Sequence, residues 1–64
     1  MTRFQAMKAA EADANRNQRP ATVVYDMTTG SYEAFAGDLS IAEIRKRNPS
    51  YERVRVVWPQ PQAA

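Results

Sequence analysis

With 64 residues, nine basic against seven acidic side chains and a formal net charge of +2, the chain reads as one domain of mild charge. It contains no cysteine and no histidine, which removes disulfides, the ordinary zinc sites and the commonest nucleophile and base of catalysis. A domain this small buries only about 60% of its unfolded surface, and such chains usually add a covalent staple, a metal or a second subunit.

Residues 1–16 favour helix. Alanines, Gln5, Met7, Lys8 and Glu11 are strong helix formers, neither Gly nor Pro interrupts, and Thr2 with Gln5 three residues on has the pattern of a capping box. The apolar stripe is thin: Phe4, Met7, Ala10 and Ala14, with Ala6 and Ala9 beside it. Only Phe4 and Met7 carry substantial apolar area, so both are candidates for contact with a partner. The polar stretch 15–20, NRNQRP, breaks the helix and belongs on the surface. No apolar signal core precedes it, and no apolar run approaches the roughly 20 residues that cross a bilayer, so the expectation is a cytoplasmic chain with no membrane partner.

Residues 21–36 read as a β-hairpin. Its arms, Thr22-Val23-Val24-Tyr25 and Ser31-Tyr32-Glu33-Ala34-Phe35, are rich in β-branched and aromatic residues. Asp26 is placed to start the turn through its side chain, and Gly30 to take the positive φ that closes it. Both arms carry apolar groups on both faces, as a central, doubly covered strand does.

Residues 40–48 form a short helix with legible ends. Ser40 and Glu43 make a capping box, and Leu39 and Ile44 fall at the positions of a hydrophobic staple. Pro49 stops the helix, and Arg45, Lys46 and Arg47 sit in the last turn, where the dipole favours positive charge. Residues 51–58 then alternate as a strand. Regular alternation sends Val54, Val56 and Trp58 to an apolar face against Ile41 and Ile44, and Tyr51, Arg53, Arg55 and Val57 to a cationic, aromatic outer face. Pro59 ends the ladder, and 59–64 is expected to be a flexible tail.

The order α-β-β-α-β predicts a small α+β domain over residues 1–58. The hairpin pairs the first two strands, and the short helix is a crossover that returns the third strand beside the first. The result is a three-stranded antiparallel sheet of order 2-1-3, packed in two layers on the short helix. The N-terminal helix lies either beside that helix or on the opposite face. One sheet face then risks exposure, which points to a homodimer or a bound partner.

Function follows by weighing classes. Asp26 and Glu43 have structural work, no carboxylate pair has the spacing of a dyad, and no serine has a visible base, so no catalytic residue, cofactor site or metal site is expected. The leading expectation is a protein-binding module, an inhibitor or adaptor, using Phe4, Met7, Tyr25, Tyr32, Tyr51, Arg53, Arg55 and Val57 and the open strand edges. The alternative is nucleic-acid binding through Arg45, Lys46, Arg47, Arg53 and Arg55, with aromatics on the same strand face to stack bases.

Overall fold

A computed structural model describes residues 1–61. The first helix, α1 (Arg3–Asn17), opens on the capping box: Thr2 Oγ1 accepts from the Gln5 backbone N–H at 3.1 Å, and Gln5 Oε1 accepts from the Thr2 N–H at 2.9 Å. It ends at Gln18, whose φ of 51° is left-handed, a conformation more often given to glycine. The buried face of α1 is not the stripe through Phe4. It is Ala6, Ala10 and Ala14, four residues apart and fully enclosed, with Met7 half-buried beside them. Phe4 stands 70% exposed. Small side chains at this spacing let the helix lie close on the sheet, so close approach replaces bulky area as the source of contact.

The hairpin is β1 (Ala21–Asp26) and β2 (Ser31–Ala36), antiparallel with Val23 opposite Ala34 and Tyr25 opposite Tyr32. Asp26 organises the turn twice. Its carbonyl accepts from Gly30 N–H at 2.8 Å and its Oδ1 from Thr28 N–H at 2.9 Å, while Gly30 takes φ +72°. The second helix, α2 (Ile41–Arg47), is capped reciprocally by Ser40 and Glu43, each bond 3.2 Å. The Ser40 backbone N–H, then its hydroxyl, hold the Glu43 carboxyl below the usual carboxylate range. The cap's stabilisation is therefore complete above the ordinary glutamate value and is lost as pH falls through the lowered one. Leu39 and Ile44, the two staple positions, are both buried, and Asn48 turns extended before Pro49.

The third strand, β3 (Tyr51–Val57), lies antiparallel to β1, and the sheet order is β2-β1-β3. The helices take opposite faces. Val23 packs with Ala21, Val57 and the α1 alanines; Val24 packs with Leu39 and Ile44, and with Phe35 and Tyr51 beside them. The expectation of an uncovered sheet face is thereby overturned, and with it one of the two grounds for expecting a homodimer, the other being the small size of the chain. Successive side chains of a strand alternate sides, and each side of β1 meets its own helix. Residues 59–61 form no helix or strand, as expected for a tail, yet Gln60 N–H donates to Asn15 Oδ1 at 2.8 Å. The rest of the expected tail, residues 62–64, lies outside the described residues.

Regular alternation fails in β3. Arg55 pairs with Val23 and Arg53 with Val24, so Val54 has no partner and the register slips by one residue. Such a bulge reverses the facing of everything on one side of it. Val54 and Val57 accordingly pack under α1, Tyr51 packs under α2, and Ile41 is 50% exposed. The expected division into an apolar face against Ile41 and Ile44 and a cationic outer face is therefore corrected.

One buried polar group holds the crossover. Thr22 is fully enclosed; its Oγ1 donates to the Gly37 carbonyl at 2.7 Å and accepts from the Leu39 N–H at 3.0 Å. Thr22→Val keeps the shape and strands both backbone groups. It should cost about 1–3 kcal/mol in urea unfolding, and an unchanged midpoint would refute the role given to this hydroxyl.

Candidate interaction surface

The two edges of the sheet differ. At the β2 edge, the Met1 carbonyl accepts from Tyr32 N–H at 2.9 Å, and the N-terminal ammonium donates to Ser31 Oγ at 2.7 Å, so the start of that edge is occupied by the chain's own terminus. At the other edge, no further strand lies beyond β3 among the described residues. Since Tyr32 N–H points away from β1, the antiparallel alternation turns the backbone groups of Tyr25 toward β3. Glu52, Arg55 and Val57 then pair inward, and the backbone groups of Arg53 and Val56 are left on the free edge. The Met27 N–H bond to the Ser50 carbonyl, 3.0 Å, extends the same alternation past the strand end.

A groove of about 270 Å³ opens at the far end of this edge, where β3 passes α1. Glu11 and Asn15 of α1 form one wall; Arg55, Val56, Val57, Trp58 and Gln60 form the rest. Trp58 is 61% exposed. Alternation alone assigned it to the apolar face; what marks it as available is its place after the last paired residue and before Pro59. An open ladder, an indole and a carboxylate near a guanidinium are the elements of a surface that binds an extended chain.

The residues singled out from the sequence do not converge on one place. Phe4 is exposed on the first turn of α1, with the Lys8 ammonium 5.5 Å from its ring centre. Met7 and Val57 belong to the core under α1, which corrects the outward facing assigned to Val57. Tyr25 and Tyr32 pair across the hairpin at 4.9 Å between ring centres, and Tyr51 packs on Phe35 at 5.7 Å. Arg53 and Arg55 are both exposed, on opposite sides of the sheet: Arg53 Nη1 donates to the Leu39 carbonyl on the α2 side at 3.3 Å, and Arg55 lines the groove beside α1. Arg53 and Arg55 therefore do not form the single basic strand face that the nucleic-acid alternative combines with the helix-end cations. Arg45, Lys46 and Arg47 are exposed at the end of α2, with the Arg47 guanidinium 4.9 Å from the centre of the Phe35 ring.

Comparison of the chain with protein-family models, with curated proteins and with solved structures finds no match in any of the three. No helix among the described residues is long and apolar enough to cross a membrane.

Neighbouring residues should separate core from surface. Val57→Ala is expected to cost about 2 kcal/mol of stability, and Trp58→Ala less than about 0.5 kcal/mol. Denaturant unfolding of both variants checks this; the reverse order would place Trp58 in the core and remove it from the surface.

Proposed function

We propose that this chain is a small non-enzymatic protein-binding module, an accessory or inhibitory protein that occupies a partner's surface through the free edge of β3 and the groove at its end. The observation that carries this reading is the outer edge of β3, beyond which no strand lies among the described residues, leading to an exposed Trp58. Main-chain bonds along an open edge supply affinity, and side-chain pockets beside it supply selectivity.

The placement of the carboxylates supports the non-enzymatic part. Asp26 is engaged in the hairpin turn and Glu43 in a helix cap. The groove carries one carboxylate, Glu11, and one guanidinium, Arg55, a set suited to orienting a charged ligand rather than to paired acid–base work. The partner is read as another protein. A homodimer through the same edge is the competing arrangement, and nothing in the packing of the sheet demands it.

Val56→Pro tests the reading. Val56 has its N–H on the free edge, where proline is tolerated within a sheet, so the variant should still unfold cooperatively. Wild-type protein immobilised and exposed to an extract of its own cells should retain a defined partner, and Val56→Pro should lose it. Retention of the same partner by the folded variant, or retention of nothing by the wild type, would overturn the proposal.

A further inference from the structure

Charge is unevenly divided along the chain. Residues 41–58 hold five basic side chains, Arg45, Lys46, Arg47, Arg53 and Arg55, against Glu43 and Glu52, whereas residues 1–40 hold four basic and five acidic. Glu43 keeps its negative charge in the α2 cap, so residues 41–58 carry five positive and two negative charges, a net +3. Helix α2 packs against β3, but its Arg47 guanidinium lies over Phe35 of β2, so the cations that belong to the free edge are the strand's own, Arg53 and Arg55.

We propose that the free edge of β3 receives an acidic, extended segment of a partner protein, paired as a fourth strand. The proposal rests on the protein-binding reading above and adds the chemistry of the partner. Arg53 and Arg55 flank the bulge on opposite sides of the sheet. A strand laid along the edge therefore meets a cation on whichever of its faces carries carboxylates. Opposite charges across adjacent strands stabilise the pair, and like charges directly opposite destabilise it.

The same arginines disfavour a second copy of this chain as the occupant. An antiparallel pairing of β3 with itself centred on Arg53, Val54 or Arg55 sets Arg53 against Arg53, Arg53 against Arg55, or Arg55 against Arg55. Charged side chains on an edge are a recognised guard against such self-pairing. Nucleic acid is disfavoured on different grounds: the two strand arginines do not share a face, Tyr51 is packed on Phe35, and the exposed indole of Trp58 has a single guanidinium, that of Arg55, beside it in the groove, with the Glu11 carboxylate on the facing wall. Stacking platforms need exposed rings beside the basic track.

Three probes decide the matter in titrations of the full chain followed by amide nuclear magnetic resonance: a capped eight-residue peptide alternating glutamate with valine, the same peptide with lysine for glutamate, and an eight-nucleotide oligothymidylate. The glutamate peptide should bind, shift the Arg53 and Val56 amides, and weaken with added salt. Arg55→Glu, a change at an exposed site, should weaken it by about fivefold. Equal binding of the lysine peptide would overturn the acidic partner and leave strand addition standing. Failure of both peptides to move the β3 amides would overturn strand addition as well. Tighter binding of the oligothymidylate, abolished by Arg55→Glu, would assign the surface to nucleic acid instead, and a doubled solution mass that Arg55→Glu alters would assign it to a second copy.

Discussion

Two valines adjacent in sequence, Val23 and Val24, are both fully enclosed, and the rest of the molecule depends on how that is achieved. Neighbouring residues of a strand face opposite ways, so each needs its own cover. The α1 alanines supply one and Leu39 with Ile44 the other. Both covers are thin. Three alanines contribute little area, and α2 is a seven-residue helix. What makes them sufficient is closeness on the α1 side and fixation on the α2 side. There a capping box, a staple and the Thr22 hydroxyl determine where the short helix sits. A helix of two turns gains its order from such tertiary anchors rather than from propensity.

The bulge at Val54 links that packing to the surface. By placing an extra residue in β3, it keeps Val54 and Val57 under α1 while turning Tyr51 to α2. It also divides the two strand arginines between the faces. A regular strand would have gathered them on one side as a basic stripe. The divided arrangement gives an edge that is cationic above and below the sheet plane, a feature suited to an incoming strand more than to a phosphate backbone.

Legibility from sequence tracks how local each determinant is. Both capping boxes, the Asp26–Gly30 turn, the Pro49 stop and the strand order follow from residues within a few positions of one another, or from the short connection between elements. These features stand as read. The facing of β3 was not legible, because a bulge carries no marker in VRV: its cause is the packing of Val54 and Val57 against a helix some forty residues earlier. The α1 face was misread for a related reason. Phe4 and Met7 dominate by area, yet a helix lying close on a sheet selects its smallest side chains for the contact, and Phe4 is left outside. At the surface, the open edge was legible in principle from the strand order. The exposure of Trp58 was not, since it depends on where the ladder ends relative to Pro59.

The central claim is that this chain closes both faces of its sheet with its own two helices and therefore folds alone. The concentration dependence of its unfolding tests that claim most directly. Thermal or urea midpoints measured across about a hundredfold dilution should coincide, because mass action shifts the midpoint only of a fold completed by association. A midpoint that falls steadily as the protein is diluted would show that a second subunit completes the core, and would contradict the account.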